Sequence, residues 1–197
     1  MTGTDLIIPK PLYHLMLLVL IFISCTSGSD KASETNKSEQ NYQVPKLIQQ
    51  EIAAEDIESL EEYSLYNGIL EEGPIIPGIF QGAVPQGMAY YPDEDLMLVS
   101  NYMFDGRPSC ITAISTSDEL HKKTLWLLNP DGTPHEGHVG GLAVSRYYLW
   151  IASGRGVYYV SLEYIQYQKD NTNLILEGFI PTEVNGSFST YSNGILW

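Results

Sequence analysis

Basic residues are scarce in this chain: ten Lys and Arg stand against 24 Asp and Glu, for a formal net charge of −14. Neutralising phosphate takes clustered cations, and there is no such cluster, so nucleic acid is excluded as a partner. Cysteine is scarcer still. Cys25 and Cys110 are the only two, which rules out a disulfide framework and any Cys-x-x-Cys metal knuckle. There is also no Gly-x-Ser-x-Gly elbow and no phosphate loop. Residues 15–23 (LMLLVLIFI) are the longest unbroken apolar run, well short of the ~20 apolar residues that a membrane-spanning helix needs.

The chain has 197 residues, of which 44% are hydrophobic, enough for one domain with a sizeable core. Tyrosine occurs 14 times and, with Val, Ile, Thr and Trp, supplies the residue types that suit a pleated, half-buried surface. The negative charge is unevenly spread. Twelve acidic and no basic residues lie between Lys46 and Arg107, whereas from Arg107 onward six basic residues nearly offset eight acidic ones. Such a segment reads as a solvated face that favours solubility.

The apolar run at 15–23 has the length of a signal-peptide core, with Lys10 and the amino terminus as its positive leader. It ends in Phe22-Ile23-Ser24-Cys25, followed by Thr26-Ser27-Gly28-Ser29-Asp30. This stretch resembles the lipobox of bacterial lipoproteins, with Phe22 at a place where Leu is usual. The resemblance implies cleavage after residue 24, acylation of Cys25, and attachment to the membrane of the bacterial cell envelope through that lipid. An acylated Cys25 cannot pair with Cys110, which is then expected to be a lone core residue. Residues 25–46 are polar and lack apolar periodicity, as expected of a flexible tether. Residues 47–72 form an acidic connecting segment, and Ile48, Ile52, Ile57 and Leu60 predict a short amphipathic helix over 47–63.

From Gly73 onward, Gly and Pro punctuate short β-rich runs. Residues 87–91, 96–102, 109–115 and 124–128 predict four strands, and 141–144, 148–152, 157–162 and 173–179 predict four more. A third series starts at 187–191, with Ser192-Asn193-Gly194 as its turn and 195–197 as its next strand. The repetition shows in the residues: PQGMAYY followed by LMLVS parallels VGGLAV followed by YLWIAS. Four-stranded units recurring at roughly 40–50 residues are the period of propeller blades. The expected fold is therefore all-β, a partial β-propeller of two four-stranded blades plus the start of a third over residues 73–197. Propellers usually have at least four blades, and the chain stops at Leu196-Trp197, within what should be a second strand. This favours a truncated product over a small self-sufficient sandwich or an oligomer that completes the ring.

These stretches, from PQGMAYYPDEDLMLVSNYMFDGRPSCITAI through LLNPDGTPHEGHVGGLAVSRYYLWIASGRGVYYVSL to SFSTYSNGILW, resemble secreted bacterial β-propeller-like proteins of unassigned function. More distantly they resemble six-bladed lactonase and phosphotriesterase propellers. In such a fold the residues just before GMAYY and GLAV face a shared pocket, which makes Gln86 and His138 candidates, and loops after the second strand add Asn101 and Asp105. An imidazole serves as base or ligand near neutral pH, although a structural bridge between blades explains His138 as well. His135 and Glu136 could extend a metal site at His138, but His135 and His138 sit in a Gly/Pro-rich loop rather than on a zinc-type helix, so they read as an incidental surface pair. Calcium-dependent hydrolases of the distant family hold their ion with Glu, Asn and Asp; Asn101 and Asp105 would be two such ligands, but no full set of oxygens is identifiable. The expected function is a membrane-anchored envelope lipoprotein whose propeller-type domain binds a small molecule or a protein, with no catalytic residue, metal site or cofactor assigned. The alternatives are a calcium-dependent lactonase or esterase-type hydrolase, or a product without function.

Overall fold

A computed structural model of the protein describes residues 44–52, 64–69, 71 and 73–197. The fold is all-β. Four strands run in a simple antiparallel meander: β1 (Ala83–Tyr91), β2 (Leu96–Met103), β3 (Cys110–Ser115) and β4 (His121–Leu128). Between β1 and β2, Pro92–Glu94 form one 3-10 turn and Asp95 takes φ 53°. The Asp95 carboxylate accepts from Tyr90 Oη at 3.0 Å and from Thr116 Oγ1, which ties this turn to the loop after β3.

The plan then repeats with β5 (Val139–Val144), β6 (Tyr148–Ser153) and β7 (Gly156–Ser161), completed by β9 (Gly178–Pro181) in a second four-stranded sheet of order β5-β6-β7-β9. The single strand predicted over 173–179 is split in two. Its first half is β8 (Thr172–Ile175), which adds to β4 in parallel as a fifth strand of the first sheet; its second half is β9, antiparallel to β7. The change of sheet falls between Leu176 and Glu177, whose amides donate to Leu128 O and Tyr159 O respectively. Leu174 and Leu176 explain the split, because both are buried in the core between the sheets and draw this stretch towards β4. Before it, α2 (Leu162–Tyr167) is N-capped by Ser161, whose Oγ accepts from Tyr164 N. The Lys123 ammonium donates to the carbonyls of Ile165, Gln166 and Gln168 at its C-terminal end.

The two sheets meet over one apolar core that includes Leu96, Leu98, Ile111 and Leu125 of the first and Leu142, Leu149, Ile151 and Val160 of the second. Their first strands touch backbone to backbone: a Cβ on Gly87 would lie 2.9 Å from Gly141 Cα. The same contact recurs one step on, where a Cβ on Gly141 would lie 2.4 Å from Phe188 Cα. Beyond it, β10 (Tyr191–Ser192) and β11 (Ile195–Leu196) form the predicted hairpin. Asn193 and Gly194 at φ 51° and 83° supply the two left-handed residues of its two-residue turn.

The opposite face of the first sheet is covered by residues 44–52. Val44 and Leu47 pack there with Ala83, Met103, Cys110 and Trp126. The helix predicted over 47–63 is not seen in its described part, residues 47–52, which carry no helix. Ile48 and Ile52, two members of the proposed stripe, are 50% and 41% exposed, whereas Leu47 is fully buried. Pairing with other segments holds this stretch in place. Gly78 N donates to Ile48 O, His121 N donates to Gln49 Oε1, and Gln49 Nε2 donates to Ile75 O and Glu119 O. The remainder of that prediction, 53–63, lies outside the described residues, and the lone turn α1 (Ser64–Asn67) follows it.

Candidate functional site

Each first strand carries a β-bulge at the same place. The register of β1 on β2 shifts between Pro85 and Gly87, and that of β5 on β6 between Val139 and Gly141, leaving Gln86 and Gly140 as the extra residues. A bulge bends its strand and re-aims the side chain it carries. These two bulges border an open cleft of about 360 Å³ lined by Gln86, His138, Gly140, Gly154, Asn185, Gly186 and Ser187. Gln86 Oε1 is 3.5 Å from His138 Nδ1, and the imidazole centroid is 4.2 Å from that of Tyr102.

Buried hydrogen bonds hold the cleft walls. Ser100 Oγ accepts from Gly87 N at 2.9 Å and donates to Val139 O at 2.7 Å, joining β1, β2 and β5 beneath the two bulges. Ser109 fixes the approach to His138: its amide donates to His135 O and its hydroxyl to Gly137 O. Gly186 N donates to Gly154 O, which closes the far wall. No lining side chain carries a fixed charge, so the cleft offers an amide from Gln86, an amide from Asn185, an imidazole and a hydroxyl.

Of the four residues predicted to share a pocket, the structure brings Gln86 and His138 together there. Asn101 and Asp105 are not among the lining residues. Asn101 is fully buried on the face of the first sheet that the strap of residues 44–52 covers, donating to Val99 O and Thr112 Oγ1, and its Oδ1 has no partner. Asp105 is in the turn after β2, where the Arg107 guanidinium 2.8 Å away holds its carboxyl below the usual carboxylate range. Cys110 is a buried core residue whose thiol burial pushes up to about 12, which makes it inert as a nucleophile near neutrality. Cys25 lies outside the described residues. Among the described residues, no three His, Cys, Asp or Glu side chains converge as metal ligands.

His135, read as an incidental surface residue, is in fact only 5% exposed. Asn129 Nδ2 donates to Thr133 Oγ1 and Pro134 O, so Asn129 Oδ1 is free to accept from His135 Nδ1–H at 2.8 Å. The other nitrogen then accepts from Ser153 Oγ at 2.9 Å. This is the polarity of a nucleophile, base and orienting group. Ser153, however, is 2% exposed and gives a substrate no access, so the trio acts as a lock between the loop after β4 and the second sheet. Burial lowers the His135 pKa and keeps the ring neutral. No local motif marks His135 for burial; its surroundings come from Ser153 and the edge of Tyr158, both distant in sequence. Asn185 and Ser187 reach the cleft because the chain after β9 returns across β5 and β6, a placement that no local pattern announces.

No family model matches the chain, and no curated protein matches it either.

Proposed function

We propose that the protein is an envelope lipoprotein, anchored through a lipid on Cys25, whose propeller-type domain binds an uncharged polar ligand or a partner's loop at the Gln86–His138 cleft. One observation carries this reading: the same bulge recurs at the mouth of two successive stacked sheets, and the two bulges border one cleft. The contacts of Gly87 on Gly141 and of Gly141 on Phe188 support radial stacking, in which each sheet covers the face of the one before it. Binding suits the cleft better than catalysis, because its side chains are neutral hydrogen-bonding groups and the one nucleophile–base pair nearby is sealed. The test is a thermal-shift screen of neutral polar compounds on the wild type and on a Gln86→Ala, His138→Ala double variant. A cleft ligand stabilises only the wild type, as mass action on a native-state site requires; equal shifts in both proteins would place binding elsewhere. For the anchor, wild-type chain expressed in bacteria should incorporate labelled palmitate and Cys25→Ala should not.

A further inference from the structure

A second pocket lies at the end of the strands opposite the cleft, where the turn after β1, the turn between β5 and β6, and the start of α2 come together. Its volume is about 490 Å³, within the roughly 300–1,000 Å³ of small-ligand sites. Tyr91 and Leu162, 5% and 4% exposed, form its floor. Asp93, Glu163 and Arg146 border it as exposed side chains, and the Arg146 guanidinium is 5.0 Å from the centroid of the Tyr147 ring. Among the described residues, none of these three charges makes an ion pair or a side-chain hydrogen bond, whereas Asp105, Asp118 and Asp170 each have a cation within 2.8 Å. The Tyr91 hydroxyl has no hydrogen-bond partner among them either. Burial and the charges of Glu94 and Asp93 raise its pKa, so it stays protonated and can donate.

We infer that this pocket is a binding site separate from the cleft, for a small ligand with two cationic groups and one carboxylate: a basic amino acid, or a short peptide that ends in one. Three observations select this chemistry. The first is separation of charge. Arg146 borders the same pocket as Asp93 and Glu163 yet pairs with neither, and opposite charges held apart across a pocket complement a ligand that carries both signs. The second is the balance. Two carboxylates against one guanidinium favour a ligand of net charge +1 and disfavour an anion, which the carboxylates repel. A neutral ligand would cover these charges without pairing them, at a cost in desolvation. The third is the floor. A side chain as buried as Tyr91 ordinarily has its polar atom satisfied, and its hydroxyl supplies a donor for a carboxylate or carbonyl oxygen of the ligand. The Tyr147 ring beside it suits the aliphatic stem and the charge of a basic side chain.

The experiment is calorimetric titration of the full chain with L-lysine and with the dipeptide Ala-Lys at low ionic strength. At least one should bind, and added salt should weaken it. Binding of lysine alone identifies free amino acids as the source, and binding of Ala-Lys identifies peptide ends; either result supports the proposal. Arg146→Gln should weaken binding by about three- to tenfold and the Asp93→Asn, Glu163→Gln double variant by about tenfold. These positions are exposed, so the variants leave the core intact. Tyr91→Phe, which removes only the hydroxyl, should weaken it by about two- to fivefold. N-acetyl-lysine methylamide, which has one positive charge and no carboxylate, should bind several-fold more weakly than lysine. No binding of either probe overturns the proposal. So does binding that is indifferent to Arg146→Gln and to the double variant, or a neutral disaccharide that binds as tightly as lysine, which would mean that the pocket reads hydroxyls. His138→Ala should leave lysine binding unchanged, and a loss there would move the site to the cleft. None of the pocket variants touches the cleft, so failure here leaves the reading of the Gln86–His138 cleft standing.

Discussion

Leu98 and Trp150 occupy the same place in the two sheets, opposite Ala89 and Ala143 respectively, yet Leu98 is fully buried and Trp150 only partly so. The difference follows from what lies over each. Leu98 is covered by the second sheet, where an aliphatic side chain fills space without a polar atom to satisfy. Trp150 faces the open side, where its indole N–H donates to Ser145 Oγ at 2.9 Å and its ring stacks with Tyr148 and Tyr159. An aromatic with a polar tip tolerates a half-wet face that Leu would not. The two sheets thus share an antiparallel plan, and residue type records how far a face is covered.

Substitution at the paired positions makes that contrast measurable. Leu98→Ala should destabilise the protein by about 2–5 kcal/mol, the range for a buried Leu that leaves a cavity. Trp150→Ala should cost clearly less, since part of its ring is already in water. Chemical denaturation of both variants checks this, and equal losses would mean that the second face is as well covered as the first. The strap offers a second comparison. Leu47→Ala removes the fully buried side chain that seals the other side of the first sheet, and about 2–4 kcal/mol should be lost. Hydrogen exchange should accelerate mainly in β2, β3 and β4 and much less in β6 and β7. Uniform acceleration would show that the strap stabilises the molecule as a whole.

Next in size is the glycine contact between sheets. Gly141→Ala places a Cβ 2.4 Å from a backbone atom and Gly87→Ala places one at 2.9 Å. Both force main chain apart, so each should cost about 1–3 kcal/mol, with Gly141 at the upper end. A neutral Gly87→Ala would remove the evidence that the first strands are stacked closely.

The β-runs and the Asn193-Gly194 turn were legible in the sequence because each rests on local pattern: alternation or turn chemistry. What was not legible depends on partners far along the chain. Residues 47–52 show apolar spacing that suits a helix, but Gln49 finds His121, Ile75 and Glu119, and extended pairing wins over local propensity. The run at 173–179 reads as one strand, and only the positions of Leu128 and Tyr159 in space decide that it serves two sheets. Asn101 and His135 were misplaced for a related reason: a polar residue in a loop or at a strand end gives no local sign that it will be buried.

The smallest effect should come from two imidazoles, the half-buried His121 and the buried His135, and it separates the regions once more. His121, in the first sheet, and His135, which links the loop after β4 to the second sheet, both have pKa values lowered chiefly by desolvation. A histidine held neutral in the folded state binds protons more readily once unfolded, so it supports stability above its unfolded pKa near 6.5. That support declines as pH drops below 6.5 towards the folded value. The carboxylates with lowered pKa, Asp105 and Asp170 among them, lose their contribution only at more acidic pH, outside this window. Urea denaturation at pH 7.5 and 5.5 should therefore show a loss at the lower pH in the wild type. It should be smaller in His121→Gln and smaller again in His135→Gln, since Asp170 and the Lys123 backbone favour the charged form of His121, whereas burial is the sole cause of the shift at His135. An undiminished loss in His135→Gln would mean that the lock between the sheets accepts a proton without strain.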